Sequence, residues 1–183
     1  MTLAYSQDMP LGRKMPSFRL KDPEGRVFDS DELIGRKGLL VVFTCNHCPY
    51  AGAQWPRIVR LATEFQPRGI STVAINSNIH PDYPEDAPAR MKHKIAELHL
   101  EFPYLVDDTQ QVARDFAAQC TPDPYLFDGD GCLVYHGRID DNWKTEREVT
   151  RQELRAAMEA LVHGAPPLAV QSPSMGCSIK WRQ

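Results

Sequence analysis

The chain has 183 residues, 42% of them hydrophobic and 25% charged, which is the make-up of one soluble globular domain with little room for a second. Its 24 acidic and 21 basic side chains leave a net charge of −3 and a pI near 6.1, which argues against nucleic acid or an anionic membrane as partner. The N-terminus lacks the basic start and apolar core of a secretion signal and no later run approaches the roughly 20 apolar residues of a bilayer span, so a cytoplasmic protein is expected, in which five cysteines point to redox or metal chemistry rather than a disulfide framework.

Residues 17–20 and 26–28 read as short strands around the turn sequence Asp22-Pro-Glu-Gly25, a small N-terminal hairpin. Residues 29–34 carry helix N-cap chemistry with acidic residues in the first turn, and Gly35 supplies a stop. Residues 38–43 form an uninterrupted apolar run of the length of a strand buried on both faces. That strand leads straight into Cys45-Asn-His-Cys48. Ile58, Leu61, Ala62 and Phe65 recur at helical spacing and predict a helix over 50–65, bent or restarted at Pro56. A second strand follows at 70–76. Residues 78–88, with Pro81, Pro84 and Pro88, read as a surface loop.

Met91, Ile95 and Leu98 predict an amphipathic helix over 89–100, followed by a short strand at 103–106. A short helix around Val112, Ala113 and Phe116 ends before Cys120. Residues 124–127 and 132–135 flank Asp128-Gly-Asp-Gly131, a hairpin signal because Asp and Gly tolerate positive φ. Thr150-Arg-Gln-Glu153 reads as a capping box opening a helix with Leu154, Ala157, Met158 and Leu161 on one face, closed by Gly164 with Pro166 and Pro167. Residues 168–183 show no clear period. Alternating strands and helices imply an α/β sandwich with a mainly parallel sheet, finished by an antiparallel hairpin. One domain over 1–183 is expected, with its core at about 10–163 and a tail at 164–183.

Cys45 and Cys48 fall at the C-terminal end of a central strand and the start of a helix, where sites form in open α/β sheets. Backbone N–H groups and the helix dipole stabilise a thiolate there, and an imidazolium at His47 adds to that. Asn46 and His47, between the cysteines, are the residues that tune the pair. A two-residue spacing lets the second sulfur reach the first and resolve a mixed disulfide. Cys45 is then the exposed nucleophile and Cys48 the resolving thiol. A zinc site needs two further ligands, yet Cys120, Cys132, Cys177 and the remaining histidines show no paired spacing, so no metal is assigned. The strand before Cys45 is wholly apolar and offers no buried acid as a proton shuttle. Cys132 reads as core or edge packing, and His136, Arg138, Asp140 and Asp141 as a polar surface, with Arg138 able to meet a carboxylate or thiolate. Cys177, anchored by Ile179 and Trp181, is a candidate third redox thiol.

Across roughly residues 10–163 the chain resembles the thioredoxin superfamily, and within it the peroxiredoxin-like AhpC/TSA (redoxin) branch. The resemblance is carried by Met15-Pro-Ser-Phe-Arg-Leu20, the strand entry at 35–43, Cys45-Asn-His-Cys48-Pro49, Phe102-Pro-Tyr-Leu-Val-Asp107, Thr121-Pro-Asp123 and Leu126-Phe-Asp-Gly-Asp-Gly131. Gly137-Arg-Ile-Asp-Asp-Asn142 and Gly176-Cys-Ser-Ile-Lys-Trp181 are similar to a bacterial group of peroxiredoxin-like proteins. The resemblance implies a thioredoxin-like three-layer α/β/α sandwich with a mixed central sheet and an N-terminal β-hairpin extension. It implies a redox-active Cys45–Cys48 disulfide without a cofactor, thiol or disulfide substrates (protein or small-molecule), a thiol reductant, and a monomer or homodimer with an antioxidant part in cell redox homeostasis. Thr121-Pro122 takes the place of the cis-proline loop that docks substrate, which puts Cys120 near the active-site face or in the core beneath it.

One departure stands out. Peroxiredoxins carry Pro-x-x-x-Thr-x-x-Cys, and alignment on Cys48 puts Val41 and Cys45 at the Pro and Thr positions. Two enzymatic readings stay open: a thiol–disulfide oxidoreductase cycling Cys45 and Cys48, and a thiol peroxidase in which Cys48 attacks peroxide and Cys45 resolves. The third is a redox-inert binding module.

Overall fold

The computed structural model describes residues 2–182. In chain order its strands are β1 (Leu3–Tyr5), β2 (Arg19–Lys21), β3 (Val27–Asp29), β4 (Gly38–Phe43), β5 (Ile70–Asn76), β6 (Tyr104–Val106), β7 (Cys120–Thr121), β8 (Asp123–Asp128), β9 (Leu133–His136) and β10 (Met175–Ser178). The helices are α1 (Ser30–Leu33), α2 (Pro49–Phe65), α3 (Pro88–Leu98), α4 (Gln111–Asp115) and α5 (Glu153–His163). Seven strands form one sheet in the order β3-β2-β6-β5-β4-β8-β9. Within it β4, β5 and β6 run parallel, while β8, β9 and the N-terminal β2–β3 hairpin are antiparallel. The sheet is therefore mixed, as the resemblance implies, but it is not mainly parallel, since two of its six neighbouring pairs are parallel and four antiparallel.

The apolar run of β4 follows from its central position. Leu40 and Val42 join Trp55, Ile58 and Phe65 of α2, Met91 of α3 and Leu154 and Met158 of α5 in one core. Leu39, Val41 and Phe43 point the other way, into a second core with Phe18, Val112 and Phe116. Alternate side chains of a strand leave opposite faces, so a strand covered on both sides needs apolar residues at every position. Each fully buried Leu, Val or Phe contributes about 1.5–3 kcal/mol of burial free energy.

Four local expectations are corrected. Helix α2 runs unbroken through Pro56. Both Pro56 and Gly52, four residues earlier, are exposed, so the Gly52 carbonyl deprived of a helical partner faces water. The capping box at Thr150 does not form: Thr150 donates its N–H and hydroxyl to Asp141, Glu153 accepts from Arg138, and α5 begins only at Glu153. The stretch 78–88 is not simply a surface loop, since it makes a short 3₁₀ turn at Pro84–Asp86 that buries Asp86 completely. Nor does the polar cluster lie on the surface. His136 and Asp140 are buried, Asp140 paired with Arg57 at 2.7 Å and His136 with Asp123 at 2.9 Å.

The C-terminal stretch that lacks a sequence period is ordered by pairing. Strand β10 lies between β1 and β7 in a second, antiparallel sheet, with Leu3 and Thr121 opposite Cys177. Asn78 Oδ1 accepts the Lys180 N–H at 2.8 Å, and Gln110 grips the Lys180 carbonyl and the Arg182 N–H at 2.7 Å each. Arg114 stacks over the Trp181 ring at 4.5 Å. Leu3–Tyr5 and the described residues from Met175 to Arg182 thus belong to the same folded unit.

Candidate functional site

Strand β4 ends at Phe43, and two residues later the chain reaches Cys45, so the sheet's central strand delivers the first sulfur to its C-terminal edge. Pro49 occupies the first position of α2 and Cys48 its N-cap, with extended φ and ψ of −76° and 122°. Proline suits that position because its missing N–H has no helical partner there. The unpaired N–H groups of the first turn and the positive helix end then face the Cys48 sulfur. Trp55, one and a half turns along α2, donates its ring N–H to the Cys45 carbonyl at 3.3 Å and fixes the intervening turn.

The Thr121–Pro122 bond is cis and Thr121 meets both sulfurs. Its hydroxyl lies 3.2 Å from Cys45 Sγ, and its carbonyl oxygen 3.1 Å from Cys48 Sγ. Cys45, Cys48 and Cys177 pack together with Ala51. All three are closed off, with 0%, 1% and 2% exposure respectively. Cys45 is therefore not an exposed nucleophile. Cys120 is buried in β7 and its thiol, pushed up by burial, points at the Pro122 carbonyl. Cys132 lies outside the cluster, where its N–H caps Asp128 in the β8–β9 turn.

The environment separates the two CxxC sulfurs. A hydrogen bond from the Cys45 thiol, joined by one from Cys177 and by the Ala51 N–H, lowers Cys48 to about 5 against the opposition of burial. The Thr121 carbonyl favours the protonated sulfur, but the two thiol donors outweigh it. Burial pushes Cys45 well up, and the neighbouring Cys48 and Asp86 charges add to this. The pair shares one proton, held by Cys45. Of the two sulfurs, Cys48 is therefore the one held as the readier thiolate.

Asp86 is the residue that sequence reasoning missed. Its carboxylate accepts the Asn46 N–H at 2.6 Å, bonds His47 Nδ1, and receives the Asn76 amide at 3.3 Å. Asn46 in turn donates to the Glu85 carbonyl at 2.8 Å and accepts from the Tyr104 hydroxyl at 3.2 Å. Asn46 and His47 are therefore clamps between the CxxC turn and the 3₁₀ turn, with the His47 ring also against Tyr83 at 4.5 Å. One signal was available: the loop after β5 leaves the same sheet edge as Cys45, because β4 and β5 are parallel. No metal was assigned from sequence, yet Cys45, His47 and Asp86 bring a sulfur, a ring nitrogen and a carboxylate oxygen within 4.8 Å of one another, a set able to hold a divalent cation.

Beside Pro122 opens a cleft of about 200 Å³, walled by Tyr5, Gln54, Trp143 and Met175. Arg138 lines it too, but its guanidinium is engaged by Glu153 at 2.5 Å rather than by a sulfur. Trp143, its ring tilted against Tyr50 with centroids 4.1 Å apart, is a wall that no sequence period marked.

A family model described as "AhpC/TSA family" matches residues 11–136. Among solved structures, an uncharacterized conserved protein from Geobacillus kaustophilus is 42% identical, with a TM-score of 0.94, over 100% of this chain and 97% of that one. A hypothetical protein from Sinorhizobium meliloti 1021 is 36% identical with a TM-score of 0.92, over 97% and 98%. The thiol-disulfide oxidoreductase ResA of Bacillus thuringiensis (strain Al Hakam) is 23% identical over 131 residues, 72% of this chain and 71% of its own length.

Proposed function

The chain belongs to the AhpC/TSA family, and from that premise we propose that it is a thioredoxin-like thiol–disulfide oxidoreductase working through Cys45 and Cys48. The observation that carries the reading is the Cys48 sulfur, lowered to about 5 at the N-cap of α2 with the Cys45 thiol bonded to it. Such a thiolate attacks a substrate disulfide at neutral pH and releases one substrate thiol. Cys45 then gives up its proton and attacks the Cys48 sulfur, releasing the second substrate thiol and leaving a Cys45–Cys48 disulfide. A thiol reductant returns the pair to the dithiol. The cysteines carry the electron pair themselves, so the cycle needs no bound cofactor. A dithiol that cycles through a thiol reductant fits a reducing compartment, the cytoplasm, as its setting.

The same Cys48 thiolate also favours a second reading, attack on a peroxide with Cys45 resolving the sulfenic acid. One experiment separates the two. Reduced protein is offered a protein disulfide and, separately, hydrogen peroxide, with dithiothreitol as electron donor. Catalysed disulfide reduction that Cys48→Ser abolishes supports the oxidoreductase. Peroxide consumption without disulfide reduction overturns it in favour of the peroxidase.

A further inference from the structure

A polypeptide substrate can lie as an added strand against the backbone beside the nucleophile, and here the strand β7 at Thr121 is the edge that faces both sulfurs. That edge is already filled. Strand β10 pairs with it antiparallel, setting Cys177 opposite Thr121 and Ser178 opposite Cys120. The approach is close enough that a Cβ on Gly176 would stand 2.0 Å from the Thr121 carbonyl oxygen. The chain therefore lays its own cysteine where an incoming strand would place one. The Cys177 sulfur hydrogen-bonds Cys48, and the three sulfurs form one buried cluster.

We propose that Cys177 is a second resolving thiol, presented by β10 in the substrate's position, and that it forms a Cys48–Cys177 disulfide in competition with Cys45. The inference rests on the oxidoreductase reading and extends it. Cys48 attacks a substrate disulfide RSSR, forming Cys48–S–S–R and expelling RS⁻, which takes up a proton. Cys177 loses its proton and attacks the Cys48 sulfur. The Cys48–Cys177 bond forms, the bond to R breaks, and the second RS⁻ leaves with that proton. Two protein thiols are oxidised and one RSSR becomes two RSH. Cys45 stays reduced in this branch, and β10 is then tied covalently to the start of α2.

The test uses the full chain carrying Cys45→Ser, reduced and then mixed with oxidised glutathione, acid-quenched, alkylated and digested with trypsin. Cleavage after Lys37, Arg57, Arg155 and Lys180 puts Cys48 and Cys177 in separate peptides, 38–57 and 156–180. The expected result is those two peptides joined by a disulfide within one molecule. Glutathione on Cys48 should be transient, and its lifetime should lengthen by roughly tenfold or more when Cys177→Ser is added, since a thiol held in place acts at high effective concentration. Glutathione persisting on Cys48 beside an alkylated Cys177 overturns the proposal while leaving the reading of Cys48 intact. A Cys48 that takes neither glutathione nor a disulfide overturns both. If Cys45→Ser fails to fold, the unaltered chain is treated in the same way and the joined peptides are fragmented to place the bond, since 38–57 then holds both Cys45 and Cys48; absence of a Cys48–Cys177 bond at every glutathione ratio overturns the inference.

Discussion

The Asp86 carboxylate closes on the Nδ1 atom of His47 with no exposure to solvent. A buried acid in a turn remote in sequence thereby sets the shape of the CxxC turn and raises the Cys45 thiol by its charge. Replacing Asp86 by Asn keeps an acceptor for the Asn46 N–H and removes the charge. The expected outcome is a Cys45 thiol that titrates at lower pH, followed by thiolate absorbance, with the lower-pH step of Cys48 unmoved. Asp86→Ala should cost about 2–4 kcal/mol in urea unfolding, because the His47 ring and the Asn46 N–H lose their buried partner.

Cys48 is expected to titrate near 5 in the reduced protein, and to move up toward 9, the value of an ordinary thiol, in Cys45→Ala, where the largest lowering influence is gone. The folded pKa lies below the unfolded one, so the folded state binds fewer protons between them. The stabilisation from this group is present above the unfolded value and fades as pH falls through about 5. Urea unfolding of reduced protein and of Cys48→Ser across that range measures it. The stability gap between the two must shrink toward acid; a constant gap would show that Cys48 is not held as a thiolate.

Most of the central sheet was legible because its signals are local: the run at 38–43, the turn at Asp128–Gly131, and the strand-to-helix junction at Cys45-Asn-His-Cys48. What escaped depends on contacts between distant segments. Asp86 sits among prolines that read as irregular chain, and its burial is decided by Asn46, His47 and Asn76. Strand β10 is short, and only its pairing with β7 on one side and β1 on the other makes it a strand. Which of the two thiols ionises more readily is hidden from the sequence for a related reason. Spacing shows that two sulfurs can meet, but which of them ionises is set by the N-cap position and by donors from β7 and β10.

Gly176→Ala tests how firmly β10 seals the site. The new methyl carbon would fall 2.0 Å from the Thr121 carbonyl oxygen, and backbone on both sides leaves it nowhere to turn. Overpacking of this kind costs about 1–3 kcal/mol, so alkylation of Cys48 in the native protein should accelerate by roughly thirtyfold at the middle of that range. Iodoacetamide labelling followed by peptide mass spectrometry reads it. Unchanged labelling alongside unchanged unfolding would show that β10 does not control access to Cys48.

Asp123, next to Pro122, is fully buried and is held by His136 Nε2 at 2.9 Å and by the Tyr125 hydroxyl at 3.1 Å, while the Tyr125 and His136 rings stack at 4.0 Å. Removing one member strands the others in the interior, so Asp123→Ala is expected to lower stability by about 3–5 kcal/mol. His136→Ala should cost less in the Asp123→Ala background than alone, a coupling of about 1–3 kcal/mol in a double-mutant cycle. Neither side chain bonds Cys48, whose titration near 5 should survive both changes. A lost thiolate with stability intact would instead make Asp123 part of the redox site rather than a brace beneath the Thr121 loop.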